Sequence, residues 1–197
     1  MSEKQQINIV YIDDELEEAL GEYLDCVYKH SNCEKKYKQI RFNERDGYEQ
    51  LLNSPIVKKA NIILIDSTLF ENDRVTEQGK FTGEEFRVLL RKVYPFIEVI
   101  VISQNGENTM LDVIPKYRSE TSESSVDYYN RILKMKLDER IERIITFRNI
   151  ANKLQLNEGI EKMLVEKTVG SLNGVETYES LTKGDIDKLI AAFQQIQ

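Results

Sequence analysis

Asp13, Asp14, Asp66, Ser103 and Lys116 are the side chains whose types and positions add up to a chemistry. Asp13 and Asp14 stand side by side where the apolar run INIVYI (7–12) stops, Asp66 follows NIILI (61–65), Ser103 follows IEVIVI (97–102), and Lys116 lies in DVIPKY (112–117). Adjacent carboxylates repel, so the pair must be offset by a cation, solvated at the surface, or partly neutralised by a raised pKa. A bound metal settles it, and hard oxygen ligands suit Mg²⁺, which keeps several waters and takes one or two protein carboxylates. One carboxylate beside such a metal can attack a phosphoryl group and form an aspartyl phosphate. Charge developing on the phosphoryl oxygens then calls for a cation and a hydrogen-bond donor. Lys116 and Ser103 supply them.

These residues meet only if the chain brings its strand ends to one edge. Over the first 117 residues strand-like and helix-like patterns alternate. INIVYI is followed by ELEEALGEYLDCVYK, with Leu16, Leu20, Tyr23, Leu24 and Val27 at helical spacing. KQIRF (38–42) reads as a second strand, GYEQLLNS (47–54) as a short helix and NIILI as a buried third strand. Residues 83–94, GEEFRVLLRKVY, predict a helix with Phe86, Leu89, Leu90 and Val93 on one face, stopped by Pro95. IEVIVI is a fourth buried strand and DVIPKY a weaker fifth. Apolar strands alternating with helices predict an α/β domain, a five-stranded parallel sheet covered on both faces. Ligands of such sheets bind at the carboxyl ends of strands, where the candidate residues fall.

Composition narrows the function classes. The 197 residues, 41% hydrophobic and 31% charged, suit one globular domain plus something smaller. A net charge of -7 and a pI near 5.0 argue against general affinity for nucleic acid or anionic membrane. No run is long and apolar enough to span a bilayer, and MSEKQQ has no signal-peptide pattern, so a cytoplasmic protein is expected. Cys26 and Cys33 lack CxxC spacing and His30 is the one histidine, which leaves free thiols and too few ligands for a Cys/His metal site.

Five segments in order, YIDDE (11–15), LID (64–66), GEEFRVLLRKVYP (83–95), VIS (101–103) and DVIPK (112–116), resemble the receiver domains of response regulators across residues 7–117. The resemblance implies a flavodoxin-like fold with Asp66 as phosphoacceptor and Asp13 and Asp14 as the acidic pair holding Mg²⁺. It also implies that the backbone carbonyl of Thr68 completes the metal site, that Ser103 is the switch hydroxyl and that Lys116 pairs with phosphoryl oxygens. A histidine kinase or another phosphodonor protein would supply the phosphoryl group. Catalysis beyond self-phosphorylation and slow self-dephosphorylation is not expected. Departures from the family pattern are an insertion at 67–82, a reduced fourth helix between Ser103 and Lys116, Val113 where an aromatic is common, and Tyr117 in place of proline.

Past Tyr117 the character changes. Residues 118–126 read as a linker or loop, and 127–197 as an all-helical extension. Ile132, Leu133, Leu137, Ile141, Ile144, Ile145, Ile150, Ala151 and Leu154 recur at helical spacing from Asp127 to Leu154, with seven Lys/Arg against four acids. The first turns can complete the receiver fold. The outer half, with positions such as Ile144 and Ile145, is expected to pair with an output protein or a second copy of the chain as a homodimer. Two weakly similar helical segments, 156–164 and 181–190, are expected to form a small hairpin. IANKLQLNEGIEKML has the flavour of a helix-turn-helix, but Glu161 occupies an apolar position and basic residues are sparse after Lys153, so DNA binding is not expected.

Two function classes therefore stand beside the phosphorylation-controlled module. One is a pseudo-receiver adaptor that binds partners without phosphorylation. The other is a phosphate-processing enzyme of the haloacid dehalogenase type, which wants a second acid where Thr68 stands.

Overall fold

The computed structural model describes residues 4–43, 47–69, 82–104, 106, 113–120, 122–156 and 162–172. Five strands, β1 (Gln5–Asp13), β2 (Cys33–Arg41), β3 (Ile62–Asp66), β4 (Glu98–Ser103) and β5 (Val113–Pro115), form one all-parallel sheet in the order β2-β1-β3-β4-β5. This is the strand order of a flavodoxin-like doubly wound fold; the sequence pattern predicts the five-stranded parallel sheet, and the resemblance implies the fold. The order reverses between β1 and β3, so the crevice of such a sheet opens at the carboxyl ends of those two strands.

Alternate residues of the central strands feed two cores. Ile7, Ile9, Tyr11, Ile62, Leu64, Ile100, Ile102 and Ile114 face α1 (Glu18–Glu22) with its continuing π turn Tyr23–Val27, α5 (Ser125–Ile132) and α6 (Lys134–Gln155). Val10, Ile12, Ile63, Ile65, Val99 and Val101 face α2 (Gly47–Asn53), α3 (Pro55–Lys58) and α4 (Gly83–Val93). Each fully buried Ile, Leu or Val stabilises the fold by about 1.5–3 kcal/mol, so these two layers hold the sheet flat against its helices. β2 begins at Cys33, five residues before its expected start. CEKKYKQ lies on a sheet edge, where solvated positions tolerate charge and hide the strand's period.

The helices end for readable reasons. Thr82 and Glu85 form a capping box at the start of α4, and Pro95 follows two residues after its end. Phe86 and Leu90 are buried on α4, whereas Leu89, expected on the same face, is 41% exposed. The π turn after α1 ends where the Lys35 ammonium takes the carbonyls of Leu24, Asp25 (2.7 Å) and Tyr28 (3.1 Å), the orphan acceptors of a helix C-terminus.

The helix expected from Asp127 to Leu154 is two helices, parted only at Leu133. The hydrogen-bond ladder passes through the break, since Leu133 N donates to Tyr129 O (2.9 Å) and Leu137 N to Leu133 O (3.0 Å). Tyr129, Leu133, Leu137, Ile141 and Ile144 are buried against the sheet and α1. The expected outward stripe at Ile144 and Ile145 is thereby corrected: Ile144 is 5% exposed and Ile145 is packed against the same core, because α6 runs along the sheet instead of leaving it. Farther on, Ala151 and Leu154 pack with Val165 and Val169 of α7 (Lys162–Leu172). Of the expected segment 156–164, Leu156 caps α6, 157–161 lie outside the described residues, and 162–164 open α7, which continues to Leu172. The segment 181–190, most of the 67–82 insertion, and the 107–112 part of the expected reduced helix lie outside the described residues. Among the described residues no helix is long and apolar enough to cross a membrane.

Candidate functional site

The sheet's backbone ladder continues past the strand ends and fixes the candidate residues along one edge. Phe42 N donates to Asp13 O, Ser67 N to Ile102 O, and Lys116 N to Ser103 O, each at 2.8 Å. Asp13 ends β1 and Asp66 ends β3, neighbouring strands at the switch point. Their side chains fall on the face that carries Tyr11, Leu64 and Ile114, because side chains along a strand alternate. Lys116, two positions past Ile114, falls on it as well.

Lys116 Nζ lies 2.8 Å from Asp13 Oδ2 and 2.7 Å from Asp66 Oδ1, bridging the two acids. Both carboxylates are buried, and the lysine nearly so. Asp13 Oδ2 also accepts from the Tyr11 hydroxyl at 2.5 Å, and Asp13 Oδ1 from Glu15 N at 3.0 Å. Asp14 Oδ1 accepts from the same amide at 3.0 Å. Asp66 Oδ2 takes both the amide (2.8 Å) and the hydroxyl (2.7 Å) of Thr68. Ser103 is buried at the end of β4, within the same edge.

Electrostatics here are unbalanced. Burial pushes the Asp13 carboxyl above its ordinary value, opposed by hydrogen bonds from Lys116 and Tyr11. For Lys116 burial pulls down, but the hydrogen bonds to Asp13 and Asp66 win and the ammonium is held above its ordinary value. Counted in formal charges, Asp13, Asp14 and Asp66 bring -3 and Lys116 brings +1, a deficit of -2. A divalent cation cancels it. One carboxylate oxygen from each of the three aspartates lies within 4.8 Å of the others, and the donors are all hard oxygens. Hard oxygen donors gathered this closely are the kind of set Mg²⁺ takes, with water completing its shell. Asp13, Asp14 and Asp66 are the side chains that would hold it.

The start of α4 is pressed onto this edge. Gly83 N donates to Ser67 O at 2.8 Å, and the Ser67 hydroxyl donates to the Glu84 carboxylate at 3.0 and 3.1 Å. A Cβ on Gly83 would strike the Asp66 carbonyl oxygen and stand 3.0 Å from Ser67 Cα. Only glycine allows the helix so close to the strand end. On the opposite side a cleft of about 510 Å³ opens beside Lys116, lined by Glu15, Glu17, Gln104, Tyr117 and Arg118 among others.

Asp13, Asp14, Asp66 and Lys116 thus converge as their strand-end positions predict. Three groups escaped sequence reasoning: Tyr11, Glu17 and Tyr129. For Tyr11 a signal was present as Y-x-D in a strand, a spacing of two that puts the phenol on the carboxylate's own face, whereas Glu17 and Tyr129 had none. No protein-family model matches the chain, and no curated protein matches it. The geometry of the site therefore carries the functional reading by itself.

Proposed function

We propose that the chain is a cytoplasmic, phosphorylation-controlled signalling module of the receiver type, in which Asp66 accepts a phosphoryl group. The observation that carries this reading is the lysine bridge: one ammonium shared between two buried strand-end aspartates, with a third aspartate in reach. Mg²⁺ held by Asp13, Asp14 and Asp66, with the Thr68 carbonyl as a further ligand, would neutralise charge on the incoming phosphoryl group. A carboxylate oxygen of Asp66 forms the new bond to phosphorus as the bond to the donor's leaving group breaks and its electron pair departs with that group. Lys116 then balances the added negative charge, since an aspartyl phosphate carries about two charges where the carboxylate carried one. In this reading the Ser103 hydroxyl would turn toward a phosphoryl oxygen. The phosphodonor would be a histidine kinase or another phosphoprotein, and the output partner would read the helical region after Lys116.

A second reading has its own observation. Asp66 already accepts three hydrogen bonds, two from Thr68 and one from Lys116, out of about four that a carboxylate can take. A carboxylate so engaged suits a pseudo-receiver adaptor that binds partners without modification. One experiment separates the two. Incubation with acetyl phosphate and Mg²⁺ should add one phosphoryl mass that Asp66→Asn abolishes, and beryllofluoride with Mg²⁺ should slow hydrogen exchange around residues 113–130. Unchanged mass together with unchanged exchange would leave the adaptor in place.

A further inference from the structure

A run of hydrogen bonds leads away from Asp13 into the helix that follows Lys116. The Tyr11 hydroxyl donates to Asp13 Oδ2 (2.5 Å) and accepts from the Glu17 backbone amide (3.1 Å). The Glu17 carboxylate accepts, through Oε1, from the Tyr129 hydroxyl of α5 (2.6 Å). Tyr129 in turn accepts from the backbone amide of Tyr117, the residue after Lys116 (3.1 Å). Every donor in this chain points the same way, from the Lys116 segment through α5 and the β1–α1 connection to Asp13. Aligned hydrogen bonds polarise and strengthen one another.

The connection is stiff. Tyr11 and Tyr129 are fully buried, and Tyr129 stacks at a tilt on Tyr23 with ring centroids 5.5 Å apart. Glu17 Oε2 is buried with no hydrogen-bond partner, so the carboxylate is anchored through Oε1 to Tyr129. A buried carboxylate oxygen without a hydrogen bond costs stability and calls for a reason. Next to Tyr129, the Tyr128 hydroxyl donates to Pro115 O (3.1 Å) and sits 3.4 Å from Lys116 O. α5 therefore grips the backbone on both sides of Lys116 while reaching Asp13 from behind.

We propose that Tyr11, Glu17 and Tyr129 form a strap that positions Asp13 for a divalent cation, so that cation binding and the seating of α5 strengthen each other. The inference rests on the metal site of the reading above. It adds the residues through which that site is felt by α5. Coupling of this kind is reciprocal: if a bound cation tightens α5, loosening α5 weakens the cation by the same factor.

The test uses the full chain and Mg²⁺ alone. Calorimetric titration should show Mg²⁺ binding, weakened about fivefold or more in Tyr129→Phe, whose lost hydroxyl touches no aspartate. Tyr11→Phe should weaken binding at least as much. Tyr23→Phe is the control: it belongs to the same aromatic cluster, but its hydroxyl is bonded to Asn130 (3.1 Å), off the strap, and its affinity should stay within about twofold. Hydrogen exchange of residues 125–132 in the unmodified chain should slow when Mg²⁺ is added, and this slowing should vanish in Tyr11→Phe. Mg²⁺ binding with no change in α5 exchange overturns the strap alone, as does equal weakening by Tyr23→Phe. A chain that binds no Mg²⁺ overturns the strap and the metal site together.

Discussion

At the carboxyl edge of the sheet two buried carboxylates share one ammonium, with a third aspartate beside them, and at the amino edge three guanidiniums surround one carboxylate. Glu98, which opens β4, has Arg143 at 2.9 Å and Arg91 and Arg140 each at 3.9 Å. Formal charges sum to -1 plus +3, a surplus of +2, where the carboxyl edge has a deficit of -2. The two imbalances are equal and opposite, but not equally costly. Arg91 and Arg143 are 47% and 48% exposed, so their surplus charge reaches water on long flexible stems. Asp13 and Asp66, on one-carbon stems, are 0% and 3% exposed. Charge that cannot reach water must find a partner or a proton. The amino edge is thus a hydrated brace, whereas the carboxyl edge buries two carboxylates on one ammonium, a local rule broken where a ligand would repair it.

The sharpest way to break this comparison is Lys116→Met, which keeps length and removes the ammonium that bridges Asp13 and Asp66. Removing one partner of a buried ion pair costs about 3–5 kcal/mol, so the urea midpoint without metal should fall steeply. Added Mg²⁺ should restore part of the loss. The pH dependence has a definite sign. Asp13 is held above its ordinary value chiefly by burial, so the native state takes up a proton before the unfolded chain does. The resulting penalty is absent below the unfolded value, grows as pH rises toward the folded one, and is complete above it. Glu17, raised by the same cause, acts in the same direction. Metal-free protein should therefore gain stability relative to Asp13→Asn on mild acidification from neutral pH, and urea unfolding at a series of pH values measures that difference. A stability difference from Asp13→Asn that does not change on acidification would show that Asp13 does not carry the burial penalty.

Gly83→Ala should have the next largest effect. Its Cβ meets backbone, the Asp66 carbonyl and Ser67, instead of a flexible side chain that could move aside. Overpacking of this type costs about 1–3 kcal/mol, read as a lowered thermal midpoint. Gly21→Ala is the counterpart: its Cβ would meet only side-chain atoms, at 3.4 Å or more, and it lies in α1. That substitution should be neutral or stabilising by about 0.5–1 kcal/mol, since alanine favours helix over glycine. Equal losses at both positions would show that the closeness of α4 to the Asp66 strand end has no special role.

How much of this was legible follows from the same physics. The central strands β1, β3 and β4 are buried on both faces, so their apolar runs were unmistakable and their ends located Asp13, Asp66 and Ser103 to the residue. Lys116 could be read because β5 brings it to the same edge. The edge strand β2 was half hidden, since one solvated face lets CEKKYKQ look like a loop. Tyr11, Glu17 and Tyr129 were missed because a buried tyrosine reads as apolar core, and nothing in sequence tells which phenol will find which carboxylate 112 residues away. The stripe on α6 was seen but aimed wrongly at Ile144. Helical periodicity tells which residues share a face, and only packing tells what that face covers.

The smallest expected effect tests the amino edge. Arg91→Ala removes a half-exposed guanidinium that stands 3.9 Å from Glu98, beyond hydrogen-bond reach. Exposed pairs contribute roughly 0–1 kcal/mol, and Glu98 keeps the Arg143 contact at 2.9 Å. The urea midpoint should move by no more than about 0.5 kcal/mol, and salt should reduce even that. Arg143→Ala, which removes the hydrogen bond itself, should cost about 1 kcal/mol. Both remain well below Lys116→Met because a surplus of arginines can be thinned without stranding the one acid, whereas the single lysine at the other edge cannot be spared. Should Arg91→Ala instead match the lysine substitution, the amino edge would be as finely balanced as the carboxyl edge. Charge imbalance would then no longer single out Asp13, Asp14 and Asp66 as the place where a cation acts.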